Sequence, residues 1–143
     1  MAAEWVLDAS VAAKCLFTEP ASDAARALVI SSASTIAPDF IFTELASVAS
    51  KKVKRGETSK HFAMEALVRA PGLLTMVAPS RPLVTRAFEF AVEYGVSAYD
   101  GLYLALADTK QMKVITADRR LVARAQLAGR LTGLVAHLGD AQN

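Results

Sequence analysis

The chain has 143 residues, 53% of them hydrophobic and 21% charged, with 16 Lys and Arg against 14 Asp and Glu. That length suits one domain with a substantial core, and the apolar share excludes a mainly disordered state. The formal net charge of +2 excludes a histone-like basic protein, and a single cysteine, Cys15, excludes an intrachain disulfide and a cysteine-rich zinc site.

Short β-like runs alternate with longer runs of helical period. Residues 5–7 read as an apolar strand that stops at Asp8, and residues 10–18 as a helix ended by Glu19-Pro20. Residues 21–31 form an Ala-rich helix with Asp23 in its first turn, where the helix dipole favours an acid. Residues 35–37 are a second strand, closed by Pro38. Asp39 reads as the N-cap of a helix reaching Lys54, with Ile41, Leu45, Val48 and Ala49 near helical spacing. Gly56 ends it. Residues 58–70 follow as a helix, Pro71-Gly72 as a turn and residues 73–78 as a third strand. A helix over 81–94 ends at Gly95, and another spans 98–109. Residues 113–116 make a fourth strand, 118–127 a last helix and 131–136 a fifth strand. This alternation predicts one α/β domain over 1–143, with a mostly parallel five-stranded sheet flanked by helices. In such sheets the ligand crevice lies beyond the strand C-termini.

Several common sites are missing. No two of the seven glycines stand two positions apart, so there is no G-x-G-x-x-G, and no phosphate-binding G-x-x-x-x-G-K-[ST] occurs. Gly95-Val96-Ser97 begins like a nucleophile elbow, but Tyr99 stands at its second glycine. His61 and His137 share no metal-ligand spacing. His61 reads as solvated and His137 as a surface or packing residue, which leaves a Ser-His-Asp hydrolase poorly supported. The first five residues lack the basic and apolar regions of a secretory signal, and the longest apolar stretches are far too short to span a bilayer. With its lone cysteine, the chain reads as a soluble cytoplasmic protein.

Acidic residues carry the remaining chemistry. Asp8 follows the first strand and Asp118 the fourth, so both belong at the C-terminal edge of the sheet. Asp100 lies in the first turn of the helix at 98–109, and Glu44 in the first two turns of the helix after the second strand. Each has a structural use as well: Asp8 and Asp118 as helix N-caps, Asp100 in a capping-box pattern with Ser97, Glu44 as an early-helix acid. Together they point to one crevice. Two like charges about 4 Å apart repel by ~4 kcal/mol at an effective dielectric near 20. Four such groups need cations or shifted pKa values, and an all-oxygen set suits Mg²⁺ or Mn²⁺.

These residues resemble the PIN-domain ribonucleases, most closely the VapC-type toxins of bacterial toxin–antitoxin pairs. The likeness rests on Val6-Leu7-Asp8-Ala9-Ser10-Val11, on Pro38 through Glu44-Leu45-Ala46, on Tyr99-Asp100-Gly101-Leu102-Tyr103-Leu104-Ala105 and on Val114-Ile115-Thr116-Ala117-Asp118. The chain departs from the family where Cys15 replaces a frequent Trp and Ser47 a frequent Asn. The resemblance implies a PIN-like three-layer sandwich and a metal site carried by Asp8, Glu44, Asp100 and Asp118, with Ser10 and Thr116 as polar helpers. It implies metal-assisted hydrolysis of RNA by a homodimeric toxin whose crevice is blocked by a cognate antitoxin.

In that reading Asp8 and Asp100 are the principal Mg²⁺ or Mn²⁺ ligands, Asp118 supports them, and Glu44 orients or deprotonates the attacking water. Lys14, Arg119 and Arg120, close in sequence to the acids, are candidates to offset their charge; solvated surface is the competing use. The run Lys51-Lys52-Val53-Lys54-Arg55 is either a cationic helix C-terminus or an RNA-backbone contact. Phe40, Ile41, Phe42, Phe62, Met64 and Leu67 supply core, or a dimer or antitoxin groove. Two other functions compete: an aspartate phosphoacceptor using Mg²⁺, and a PIN-like module that binds RNA or antitoxin without turnover. Removing the four acids from the charge count leaves 10 acids facing 16 basic residues, a more cationic exterior than +2 suggests.

Overall fold

β1 (Glu4–Leu7) lies at the centre of a five-stranded sheet, between β2 (Ser34–Pro38) and β4 (Lys113–Thr116). β3 (Met76–Ala78) and β5 (Val135–His137) form the edges, giving the order β3-β2-β1-β4-β5. The structure is a computed structural model and describes residues 2–141. Every pairing is parallel, with Val6 opposite both Ile36 and Val114. Val6, Leu7, Val114 and Ile115 are fully buried, as strands covered on both faces require. That is why these strands are plain apolar runs without alternation.

Seven helices flank the sheet among the described residues: α1 (Ala9–Leu16), α2 (Ser22–Ser31), α3 (Ile41–Lys54), α4 (Lys60–Arg69), α5 (Val84–Tyr94), α6 (Ala98–Lys110) and α7 (Arg119–Leu127). The arrangement is the PIN-like α/β sandwich expected. Among the described residues no helix is long and apolar enough to cross a membrane. Helix α6 is buried without interruption from Gly101 to Ala107, so it is apolar all round rather than on one stripe. It packs closely on α5. A Cβ added to Gly101 would lie 2.6 Å from the Ala87 carbonyl oxygen, so only glycine permits this approach.

Several boundaries differ from the sequence reading, each for a local reason. Asp39 does not cap α3. Its carboxylate accepts the backbone N–H and the hydroxyl of Ser80, and Phe40 occupies the N-cap position without a side-chain bond. β3 is shorter than expected because Ala70–Leu73 closes into a 3₁₀ turn around Pro71. Similarly, Arg81–Leu83 forms a 3₁₀ turn before α5 begins at Val84. β5 starts late because residues 128–134 are taken up by turns, in which Leu131 N–H bonds Ala128 O and Leu134 N–H bonds Leu131 O. Leu131 is apolar because it enters the core, not because it lies in a strand. His137 is buried in β5 and accepts Gly139 N–H, whereas His61 is exposed beside Glu65.

Candidate functional site

The C-terminal edge of the sheet gathers the chemistry. Asp8 is the first residue beyond β1, and its N–H reaches Ile115 O at 3.1 Å, extending the ladder by one rung. It occupies the N-cap position of α1 but makes no capping bond. Its Oδ2 instead accepts the hydroxyls of Ser10 (2.6 Å) and Thr116 (2.8 Å). Those hydroxyls accept Ala117 N–H and Asp118 N–H, each at 3.0 Å. The carboxylate of Asp8 is thereby tied to the backbone that presents Asp118. Burial pushes the Asp8 pKa up, and the two hydroxyls partly offset it.

Glu44 stands in the first turn of α3 and accepts the Tyr103 hydroxyl at 2.5 Å. Its pKa is pushed up to about 7 by burial, with Asp8 and Asp100 adding repulsion against the relief from Tyr103. Asp100 stands in the first turn of α6, where Ser97 caps its N–H at 3.0 Å. Burial, then Asp8 and Asp118, raise it to about 6, against opposing effects of Ser97 and Arg120. Asp118 does cap α7: its Oδ1 accepts Arg120 N–H at 2.9 Å, so one residue both ends a loop and faces the crevice. Tyr103 is 1% exposed, and burial beside Glu44 pushes its pKa far up, so it remains a donor at any working pH.

The four acids line one cavity of about 660 Å³ together with Ser10, Phe40, Ser47, Lys51 and Tyr99. A second cavity of about 240 Å³ shares Asp100 and Asp118 and brings in Arg120 and Arg124. Asp100 and Asp118 thus border both clefts, whereas Asp8 and Glu44 face the larger one alone. Thr116, beneath them, is fully buried.

Other candidate residues lie elsewhere. Lys14 Nζ is engaged by Pro20 O at 2.9 Å and Glu19 Oε1 at 3.4 Å, away from both clefts. Arg119 is exposed and borders Gly139 rather than either cleft. The basic run divides by helix face: Lys51 lines the acidic cavity, while Lys52 bridges Glu19 at 2.8 Å and Glu57 at 3.5 Å. Tyr103 is the residue that sequence reasoning missed as a site group. The available signal was its place one turn after Asp100 on the same helix.

Among the described residues, no three carboxylate, imidazole or thiolate groups are drawn together into a ready-made metal cluster. The chemistry of the donor set nevertheless fits a hard divalent cation. It is all oxygen, and two of its carboxylates hold protons more tightly than usual, first because they are buried and then because neighbouring acids repel them.

Comparison with known proteins agrees with this fold. The fold is similar to the crystal structure of PAE2754 from Pyrobaculum aerophilum, with a TM-score of 0.72 and 20% identity over 99% of this chain and 95% of that one. It is also similar to Mycobacterium tuberculosis VapC20, a sarcin–ricin loop cleaving toxin, with a TM-score of 0.62 and 16% identity over 80% of this chain and 87% of that one. A search of curated proteins finds no match. The family model that matches, over residues 5–127, is that of the PIN domain, and with its sheet order and its acids at one sheet edge the chain belongs to the PIN domain family.

Proposed function

We propose that the protein is a metal-dependent endoribonuclease that hydrolyses RNA phosphodiesters, as the VapC-type toxin of a type II toxin–antitoxin pair. The observation that carries this reading is the meeting of Asp8, Glu44, Asp100 and Asp118 in one cavity. Asp8, Asp100 and Asp118 would hold Mg²⁺ or Mn²⁺, which when bound acidifies water and offsets phosphate charge. Ser10 and Thr116 fix the Asp8 carboxylate. Glu44, with a pKa near 7, is suited to take a proton from the attacking water at neutral pH, and Tyr103 sets its orientation. Lys51 and Arg120, one in each cleft, supply cations toward the phosphates. The fold shared with VapC20 supports a toxin role.

The same reading carries a cytoplasmic location, an antitoxin that covers the acidic cavity, and a homodimer. Apolar side chains remain exposed on two helices, Phe62, Met64 and Val68 on α4 and Val84, Phe88 and Val92 on α5. Light scattering behind size exclusion decides whether the free chain is a dimer. A second reading is a PIN module that binds RNA or antitoxin without turnover. An aspartate phosphoacceptor is less favoured, since Ser10 stands where an Asp-x-Asp pair needs its second acid.

The deciding experiment is cleavage of total RNA by purified protein in Mg²⁺ or Mn²⁺, with cut sites mapped. We expect discrete cuts that EDTA abolishes and that Asp8→Asn loses. Full activity in Asp8→Asn overturns the assignment, and RNA binding without metal-dependent cuts selects the non-catalytic module.

A further inference from the structure

Two aromatic rings stand at the acidic cavity. Phe40 immediately precedes α3, one turn before Glu44, and Tyr99 immediately precedes Asp100 on α6. Their rings are stacked, 5.1 Å between centroids and 8° from parallel, and both line the cavity that holds the four acids. Phe40 is half-buried against the core, but Tyr99 is 60% exposed although Phe40 covers one of its faces. The other face of Tyr99 is thus open beside the acids.

We propose that this pair is a nucleobase platform, on which one unpaired base of single-stranded RNA stacks against the open face of Tyr99. The proposal rests on the ribonuclease reading for its substrate class. Four carboxylates repel phosphates, so affinity beside them has to come largely from a neutral group, and a base is the neutral part of a nucleotide. Stacking supplies that affinity without regard to charge and tolerates any base, because every base has a π-face. The flat, continuous stack of two rings favours a planar occupant. A cavity of about 660 Å³ falls in the size range of small-ligand sites. Lys51 lines the same cavity and gives the adjoining phosphate a counter-charge. The platform therefore selects for a base already out of a duplex, and much less for which base it is.

The test uses the full chain carrying Asp8→Asn, so that binding is read without turnover. Fluorescence anisotropy is measured with a labelled single-stranded RNA 12-mer of mixed sequence and with a 12-mer of the same backbone lacking bases. We expect Tyr99→Ala and Tyr99→Leu to weaken binding of the RNA about tenfold. They should leave the abasic oligomer within about twofold, and Tyr99→Phe should restore RNA binding. Equal weakening on both oligomers, no weakening on either, or failure of Tyr99→Phe to restore RNA binding overturns the platform. The cleavage assay on wild type fails or succeeds separately, so loss of the nuclease reading is not confused with loss of the base subsite.

Discussion

Helix α6 carries an aspartate near each end, and the two sit in opposite surroundings. Asp108 lies in the last turn, where the helix dipole disfavours a negative charge, and Arg86 at 2.6 Å and Arg130 at 3.5 Å meet it. Asp100 lies in the first turn, where the dipole favours it, yet its pKa rises to about 6 because it is buried beside Asp8. At one end two guanidinium groups pair with the acid; at the other Arg120 offsets burial and repulsion only in part. A cavity of about 690 Å³ adjoins Asp108, no smaller than the acidic one, so volume alone does not mark the site. Unmet charge does.

The sharpest way to break this contrast is to neutralise each acid in turn. Asp100→Asn should cut RNA cleavage on the order of a hundredfold or more, as loss of a transition-state charge contact does. Asp108→Asn should keep the rate and cost less than about 1 kcal/mol in urea melts, as a half-exposed ion pair does. Equal activity losses would erase the distinction. Next in size is Gly101→Ala, whose new Cβ meets the Ala87 carbonyl. Overpacking of this kind costs about 1–3 kcal/mol and shifts the helix that presents Asp100. Gly72→Ala, which meets nothing within 4 Å, is the control for urea denaturation.

Smaller effects probe the proton on Glu44. Tyr103→Phe removes the hydroxyl that holds the Glu44 pKa down. The acidic limb of the pH–rate profile should move to higher pH, with the rate at pH 7 falling by a factor of a few, up to about tenfold. An unmoved limb would remove Glu44 as the base. Smallest is the effect on stability without metal. Glu44 and Asp100 have folded pKa values of about 7 and about 6, above their ordinary values of 4.5 and 3.8. The folded state therefore binds more protons than the unfolded state between those limits, and stability falls as pH rises through them. This is the reverse of the usual paired carboxylate. In EDTA the melting temperature should drop by several degrees from pH 5 to pH 8, and Glu44→Gln should flatten the drop. Added Mg²⁺ should restore it at pH 8. A melting temperature flat with pH in wild type would show that burial and mutual repulsion do not raise these two pKa values.

The central strands and the two acids that follow them were legible because a parallel strand buried on both faces is an unbroken apolar run. An acid directly after such a run must sit at the sheet edge. The meeting of Glu44 with Asp100 was legible only as a pattern, since it depends on how α3 and α6 start. Side-chain partners distant in sequence were not legible. Asp39 looks like a cap until Ser80 takes its carboxylate, and Lys14 looks like a site cation until Glu19 and Pro20 hold it. The basic run 51–55 reads as one patch, but helical geometry sends Lys51 to the acids and Lys52 to Glu19 and Glu57. Tyr103 was hidden because a buried helix full of leucine and alanine masks one hydroxyl aimed at Glu44.

The position of β1 at the middle of the sheet has a consequence for synthesis. Its neighbour β4 ends at Thr116, and the loop beyond supplies Asp118. Until that stretch has left the ribosome, the first strand has one side unpaired and Asp8 lacks the Thr116 hydroxyl. At about 5–20 residues per second, some ten seconds of translation pass before the acids can meet. The four acids therefore cannot be assembled before the fourth strand has paired with the first, so the acidic cavity and the middle of the sheet are completed together.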